Sequence, residues 1–271
     1  MQLTEDVDDF LARAGDFLCS RPALHTSPLT TVEKLRLNGT DGTTFGWLEG
    51  AGEVSAVCYR RPTGRLTLTS LDLEGADAIA AHLADFGTSL ASVIAEDHTA
   101  TAFAEAWRRH TGATPAPGWR ARLHRLGTLT PQAPAPEGPA AGARDRAEII
   151  RWCAEFSGAV GETPVTDADA WAASPFGDKH YTFWETNGPV AMAGSTSMVA
   201  GMIRVDPVYT PAHLRGRGYA GAVTVAVSEA ALAAGATDVV LYTDPANVTS
   251  NALYRRIGYV PIAEFTGYVF S

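Results

Sequence analysis

Residues 215–221 read RGRGYAG, and two phosphate-binding motifs that belong to different folds match this stretch. From Gly216 onward it matches G-x-G-x-x-G, the fingerprint of a dinucleotide-binding fold. From Arg215 onward it matches R-x-x-G-x-A, a pyrophosphate loop of another kind. Both interpretations place a phosphate at a helix N-terminus, yet they imply different cofactors and different chemistry.

The residues around this loop oppose the dinucleotide interpretation. In that fold the strand runs directly into the first glycine, whereas residues 211–215 intervene here and Pro211 interrupts a strand ladder. Only 50 residues follow Gly221, which is too few for the further strand–helix units that a dinucleotide site needs. Asp244 stands where a ribose-binding acid would, but the order of elements around it does not fit.

A second motif follows at residues 247–259, with the pattern N-x-x-S-x-x-L-Y-x-x-x-G-Y. This motif and the R-x-x-G-x-A loop resemble the acyl-CoA-binding segments of the GNAT superfamily of N-acyltransferases. The resemblance covers roughly residues 144–271 and includes the order strand, loop, helix, strand, helix around the two motifs. With a weaker first half and a Pro-rich linker, the whole layout resembles two-domain GNAT proteins of the actinobacterial type.

The resemblance implies an acetyl-CoA site made by three segments. Backbone groups at the end of the strand before the loop would hold the pantetheine arm and polarise the thioester carbonyl. Loop amides would form a nest for the pyrophosphate, because Gly216 and Gly218 let the chain curl at the positive end of a helix dipole. The residues implied in cofactor binding are Val208, Tyr209, Thr210, Arg215, Gly216, Arg217, Gly218, Tyr219, Ala220, Gly221, Asn247 and Ser250. No metal ligand is expected.

The resemblance also implies that Tyr254 is the catalytic acid that protonates the departing CoA thiolate. Asn247, Ser250, Asn251 and Tyr254 recur at intervals of three and four residues, so they share one face of a helix. A structural tyrosine with a buried ring and a wet hydroxyl is the alternative interpretation of Tyr254.

An ammonium acceptor must lose a proton before or during its attack, so a general base is expected. The candidates, among which the sequence does not choose, are Asp206, Glu185, Glu162 and His180. Tyr181, Phe183 and Trp184 are candidates for the acceptor pocket, although aromatic residues on a strand commonly belong to a core.

The stretch TPQAPAPEGPAAGA, which ends at Ala143, is rich in Pro, Ala and Gly and carries a single charge, as linkers do. The sequence therefore predicts a first domain over residues 1–130, a linker over 131–143 and a second domain over 144–271. The first half repeats the element order of the second, but has Asp72 where a phosphate would lie. The predicted fold is α/β with mixed sheets, built from tandem GNAT-like domains of which the N-terminal one is degenerate.

Hydrophobic periodicity and turn residues predict the elements of both halves. In the second half the predicted helices are 145–157, 217–234 and 248–257, and the predicted strands are 181–185, 189–195, 201–210, 238–243 and, as more than one strand, 260–270. In the first half the predicted strands are 44–49, 54–60, 65–71, 90–95 and 120–126, and the predicted helices are 75–86 and 100–110.

Composition narrows the classes of protein that fit. The chain has 271 residues and a formal net charge of −9, without the basic surface that nucleic-acid binders usually carry. No apolar run is long enough to span a bilayer, and the N-terminus is acidic where a signal peptide would be basic. The three cysteines lack metal-ligand spacing and suit a reducing compartment. We therefore expect a cytoplasmic protein that binds neither nucleic acid nor membrane and is compatible with a homodimer.

The residues and the resemblance together predict an acyl-CoA-dependent N-acyltransferase, specifically an acetyltransferase that uses acetyl-CoA. The predicted acceptor is a primary amine of a small molecule or a peptide. One alternative is a non-catalytic acyl-CoA-binding or sensor protein, which would have no need of Tyr254. Another is an acyltransferase that acts on a hydroxyl or on a thiol-sugar amine.

Overall fold

The computed structural model describes residues 1–39, 41–131, 134–142 and 144–271. Packing divides the chain into two compact units. The first unit consists of Met1–Leu123 together with Ile262–Ser271, and the second consists of His124–Pro261.

The described residues form helices and strands throughout both units. The helices are α1 (Val7–Ser20), α2 (Thr26–Asn38), α3 (Leu73–Asp85), α4 (Asp97–Thr111), α5 (Arg146–Ala159), α6 (Ala168–Ala173), α7 (Tyr219–Ala233) and α8 (Val248–Arg256). The strands are β1 (Gln2–Thr4), β2 (Thr44–Gly50), β3 (Glu53–Arg60), β4 (Arg65–Leu68), β5 (Ser92–Glu96), β6 (Pro115–Leu126), β7 (Ala140–Ala141), β8 (His180–Glu185), β9 (Pro189–Ser195), β10 (Met202–Tyr209), β11 (Asp238–Thr243) and β12 (Tyr259–Phe270).

The first unit is a sheet with helices on both faces. Its strands lie in the order β1-β2-β3-β4-β5-β12-β6, and β4 is parallel to β5. Successive side chains of a strand point to opposite faces, so Cys58 packs with α3 and α4 while its neighbour Tyr59 faces α2, where Thr31 donates to the Tyr59 hydroxyl. Phe10 of α1 stacks on Phe45 of β2, with 5.0 Å between the ring centroids.

The second unit has the same construction. Its strands lie in the order β11-β10-β9-β8-β7, and β10 is parallel to β11. On β9, Ala191 and Ala193 pack against the helix α7 face, and Met192 between them packs against the α5 face. The small alanines let α7 lie close to the sheet, and the larger methionine fills the space beneath α5.

The two units repeat one order of elements. Each unit has two helices, then three antiparallel strands, then a helix, a strand and a last helix. In the first unit these are α1 to α4 with β2 to β5, and in the second they are α5 to α8 with β8 to β11. In both units the third strand is parallel to the strand that follows the next helix. The mixed α/β fold and the two similar domains that the sequence predicts are confirmed.

The last strand, β12, joins the first unit through its second half. Its residues pair antiparallel with β5 from Phe265 opposite Glu96 to Val269 opposite Ser92. From the sequence, residues 262–271 are expected in the second domain, because they follow it in the chain. Their hydrogen bonds, which no local pattern reveals, place them with the first unit instead.

Other differences from the predicted elements are local. Residues 260–270 belong to one long strand rather than several. Helices α1 and α2 were not predicted, although Phe10, Ala14 and Leu18 recur every four residues and are buried on α1. In the predicted linker 131–143, Ala140 and Ala141 form β7 against β8, and residues 132, 133 and 143 lie outside the described residues.

A β-bulge in β10 sets the face on which its last side chains lie. Val205 is opposite Ser195 and Val208 is opposite Ala193, so β10 has one extra residue over this stretch. The extra residue inverts the alternation of side chains. Val205 therefore packs beneath α7, whereas Tyr209, four residues later, packs beneath α5.

No helix among the described residues combines the length and the apolar character that a membrane span requires.

Candidate active site

The second unit contains an unpaired strand edge at the end of β10. Strands β10 and β11 pair over residues 202–204 and 238–240, and no pairing between them extends further among the described residues. On its other side β10 stays paired with β9 as far as Tyr209. Residues 205–209 therefore present backbone groups along one free edge, which can bind an extended ligand as an added strand would bind.

Thr210 follows this edge, and its carbonyl and hydroxyl groups have different environments. Its carbonyl oxygen accepts a hydrogen bond from Arg215 Nε at 3.1 Å. Its hydroxyl is buried and has no hydrogen-bond partner among the described residues. A buried polar group without a partner is costly, and such a group next to a free strand edge is suited to a ligand.

The glycine-rich loop leads directly into α7. Gly216 and Gly218 have φ values of 78° and 83°, in the left-handed region that glycine adopts without strain. Helix α7 begins after Gly218, and no side chain of the described residues caps it. The first amides of α7, at Tyr219 and the two residues after it, therefore point out of the helix without an intrahelical acceptor. Arg217 is exposed and forms no ion pair among the described residues.

The corresponding helix of the first unit has a closed N-terminus. The Asp72 carboxylate caps α3 by accepting from the Gly75 amide at 2.8 Å. This carboxylate occupies the position at which α7 leaves its amides open, and its charge repels another anion. Only the α7 terminus, of these two, is suited to phosphate.

Helix α8 carries the remaining predicted site residues. Asn247 caps the helix, because its side-chain oxygen accepts from the Ser250 amide at 3.0 Å. Tyr254 is 7% exposed, and burial, with smaller effects of Tyr259 and of the Asp206 charge, raises the pKa of Tyr254 above its usual range. Its hydroxyl therefore keeps its proton at neutral pH, as a general acid must.

The predicted site residues from the three segments border one core cluster. Val208 of β10, Tyr219 of α7 and Tyr254 of α8 all pack on the cluster that includes Val223 and Leu241. The loop between β10 and α7 is tied to the strand end by Arg215. The structure thus brings the strand end, the glycine loop and α8 to one side of the second unit's sheet.

The four candidate general bases are dispersed. Asp206 lies at the bulge of β10, Glu185 ends β8 and pairs with Arg144, and His180 begins β8. Glu162 follows α5 and is exposed. Of these, only Asp206 lies on the strand with the free edge.

Asp206 forms an ion pair with Lys179, a residue that the sequence analysis did not single out. Burial lowers the pKa of Lys179, although the attraction of Asp206 opposes that shift. Burial alone would raise the pKa of Asp206, but the charges of Lys179 and Arg204 together outweigh it and hold that pKa below its usual value. Asp206 is therefore ionised at neutral pH.

The aromatic residues of β8 belong mainly to the core. Tyr181 and Phe183 are buried among side chains of α5 and α6, and Tyr181 donates to the carbonyl of Phe176 at 2.8 Å. Trp184 faces the other side of the sheet and donates from its indole to the carbonyl of Glu137. The buried pair Tyr181 and Phe183 supports the sheet rather than lining a pocket.

His124, which no sequence motif marks, is buried beside α8. Its Nε2 atom lies 3.0 Å from the Thr243 hydroxyl and 3.2 Å from the Asn251 side-chain oxygen. A lone histidine in the strand sequence RARLHRL carries no motif, and its partners are 119 and 127 residues away in sequence. No local signal could have revealed this contact.

The residues present fit a ligand with a phosphate group and an extended arm. Open helix amides and Arg217 suit the phosphate, while the free edge of β10 and the Thr210 hydroxyl suit the polar groups of the arm. A protonated Tyr254 stands on the same side of the sheet.

Comparison with known proteins agrees with this geometry. A family model described as FR47-like protein matches residues 192–267, which include the β10 edge, the glycine loop and α8. A GCN5-related N-acetyltransferase from Sphaerobacter thermophilus is similar in structure, with a TM-score of 0.61 and 18% identity over 98% of this chain and 94% of that chain. The chain therefore has the fold of these GNAT proteins.

Two further solved structures share the GNAT fold with this chain. A GCN5-related N-acetyltransferase from Kribbella flavida has a TM-score of 0.53 and 21% identity, over 89% of this chain and 95% of that chain. A tandem GNAT protein from the clavulanic acid biosynthesis pathway has a TM-score of 0.61 and 12% identity, over 100% of this chain and 98% of that chain. The match over the whole chain agrees with two GNAT-like domains. A search of curated proteins found no match.

Proposed function

We propose that this GNAT protein transfers an acetyl group from acetyl-CoA to a primary amine of a small molecule or a peptide. The observation that carries the proposal is the difference between two helix N-termini. Helix α7 opens its amides to an anion beside a free strand edge, whereas α3 is capped by Asp72. This difference predicts that one CoA binds per chain, in the second unit.

Each segment of the site has a distinct task in the proposed reaction. The amides of residues 216–221 and the Arg217 guanidinium hold the pyrophosphate. The backbone at 208–210 and the Thr210 hydroxyl hold the pantetheine arm and orient the thioester carbonyl. Acetyl-CoA supplies the activated acyl group, and the neutral amine forms the new C–N bond as the C–S bond breaks.

Two side chains handle the protons of this reaction. Tyr254, which is protonated at neutral pH, donates its phenolic proton to the departing sulfur, and the proton that the nitrogen loses as the amide forms restores the phenol through water. Asp206, ionised beside Lys179 and on the strand that bears the free edge, accepts the proton that the ammonium loses, directly or through water.

The proposal is tested by calorimetric titration of the purified protein with CoA, acetyl-CoA and NAD, followed by an amine screen with thiol detection. Binding of acetyl-CoA and release of free thiol with at least one amine are the expected results. Binding of NAD without CoA would overturn the acyltransferase assignment.

The same screen separates the proposal from its rivals. Tight acetyl-CoA binding without turnover on amines, hydroxyl compounds or amino sugars would favour a sensor. Turnover confined to hydroxyl acceptors would identify an O-acyltransferase. The protonated Tyr254, on the same side of the sheet as Val208 of the free edge, is the observation that favours catalysis over sensing, because binding alone has no use for an acid there.

A further inference from the structure

A buried hydrogen-bond network connects β6, β11 and α8 within the second unit. His124 of β6 is 2% exposed and lies next to Thr243, the last residue of β11, and to Asn251 of α8. The Thr243 hydroxyl is 2.9 Å from the Asn251 side-chain oxygen. Thr243 and Asn251 are themselves buried, so all three polar groups are removed from water.

The network has one consistent assignment of its hydrogens. The Asn251 side-chain nitrogen is 2.8 Å from the carbonyl oxygens of both Asp244 and Asn247, so this atom is the amide donor. The Asn251 oxygen can therefore only accept. The Thr243 hydroxyl must donate to it, and His124 must carry its hydrogen on Nε2 to donate to Thr243 and Asn251.

Through Asn251 the network holds the loop between β11 and α8. The two carbonyls that Asn251 binds belong to the first and last residues of the turn at 244–247. That turn ends at Asn247, the cap of α8. The position of the helix N-terminus therefore depends on the Asn251 amide, and the orientation of that amide depends on Thr243 and His124.

The same network borders the proposed acid. Tyr254 lies one helical turn beyond Asn251, and the ring centroids of His124 and Tyr254 are 6.5 Å apart. The ring of Tyr259 also packs edge-on against Tyr254, with 6.0 Å between the ring centroids. His124 thus constrains Tyr254 in two ways, by packing near its ring and by fixing the helix that carries it.

We propose that His124 is a positioning residue: in its Nε2–H form it locks Thr243 and Asn251, and thereby sets the place of Tyr254 relative to the free edge of β10. The inference rests on the proposed function of Tyr254. Small displacements of a reacting group are costly, on the order of 100-fold for about 1 Å.

The test compares His124→Leu, which removes the donor, with His124→Gln, which keeps an N–H at a similar reach. Fluorotyrosine is incorporated into the full chain, and the Tyr254 fluorine signal is assigned by its loss in Tyr254→Phe. Nitrogen-15 spectra of the histidines report the tautomer of His124. His25→Leu, which removes an equally buried histidine of the first unit, is the matched control.

We expect the Nε2–H tautomer in the wild-type protein. His124→Leu should shift or broaden the Tyr254 signal and lower the single-turnover rate roughly 10- to 100-fold. CoA affinity should change much less than the rate, because residues 216–221, which hold the pyrophosphate, lie outside the network and only Asn247 lies within its reach. His124→Gln should restore both the signal and the rate. His25→Leu should reduce stability without moving the Tyr254 signal.

Two results would overturn the proposal: an Nδ1–H tautomer, or a folded Leu variant with a wild-type Tyr254 signal. If His124→Leu does not fold, Thr243→Val removes one hydroxyl of the network and is judged by the same signal. The spectra need no acceptor, so the positioning role can fail while CoA binding persists. A wild-type protein that binds no CoA would instead refute the proposed function.

Discussion

The Nε atom of Arg215 donates to the carbonyl oxygen of Thr210 at 3.1 Å, so the arginine that opens the glycine loop ties that loop to the end of β10. The sequence motif alone presents Arg215 as charge for the phosphate. In the structure its guanidinium is partly used as a clamp, whereas Arg217, which is likewise exposed, makes no side-chain hydrogen bond or ion pair among the described residues. The two arginines should therefore respond differently to substitution.

Arg217→Gln should weaken CoA binding modestly, by about 1 kcal/mol or roughly five-fold, and should flatten the salt dependence of that binding. Arg215→Gln should cost more affinity, because it also frees the loop and leaves a carbonyl without its donor. Titration calorimetry at two salt concentrations measures both effects. Equal losses in the two variants would contradict the clamp.

The charge preference of the loop can be isolated at Gly218. Gly218→Asn and Gly218→Asp introduce side chains of equal size, and both residues tolerate the left-handed backbone at φ 83° better than others do. Only the aspartate repels the pyrophosphate, so we expect it to lose CoA affinity by at least ten-fold relative to the asparagine variant. Thermal unfolding controls for strain. Equal affinity of the two variants would exclude this loop as the phosphate site.

Asp72 should matter for stability and not for CoA binding. Asp72→Ala removes the cap of α3 and should lower the free energy of unfolding by about 0.5–2 kcal/mol, measured by urea denaturation. Titration of wild-type protein with CoA should give one site per chain. A stoichiometry of two would show that the first unit binds CoA despite this carboxylate.

Tyr254→Phe should retain the ring packing and lose only the hydroxyl. We expect single-turnover acetyl transfer to slow by roughly 10²–10⁴-fold, with the lower end more consistent with a thiolate leaving group, and CoA affinity to be unchanged. Because the pKa of Tyr254 is raised above its usual value near 10, its acid form persists across neutral pH. The wild-type rate should therefore show no loss from tyrosine ionisation below about pH 10. Wild-type chemistry in the Phe variant would favour the sensor function.

Removal of Asp206 alone should destabilise the protein more than removal of both members of the Lys179–Asp206 ion pair. The Lys179 side chain is 3% exposed and that of Asp206 is 37% exposed. Asp206→Asn leaves a buried ammonium without its counter-charge and should cost roughly 1–3 kcal/mol, less than a fully buried pair because Asp206 is partly in water. Lys179→Met together with Asp206→Asn should recover most of that loss in urea denaturation. Additive losses would contradict the pairing.

The same ion pair predicts that the free energy of unfolding decreases at acidic pH. The pKa of Asp206 is lower in the folded state than in the unfolded chain, so its contribution is present above about pH 4 and is lost as pH falls through the folded-state pKa. The double variant should lack this part of the pH dependence. Denaturation midpoints of both proteins between pH 6 and 2 provide the comparison.

The local elements of the site could be predicted from the sequence because they depend on neighbouring residues. Strand β11 occupies Asp238–Thr243 as predicted, and Asn247 caps α8 as its side chain allows. The left-handed Gly216 and Gly218 follow from the freedom of glycine. Hydrophobic periodicity, turn residues and caps act over a few positions, so one chain segment contains all the information they need.

Contacts between residues that are far apart in the sequence could not be predicted from it, because they form only in the folded chain. Three of these contacts depend on strand register: the pairing of residues 265–269 with β5, the extra residue that turns Tyr209 to the α5 face, and the approach of His124 to Asn251. Register is selected by the total burial and hydrogen bonding of whole strands, in which each residue's share is small. A pattern read along the chain therefore identifies the strands, and only their packing determines which side chains meet.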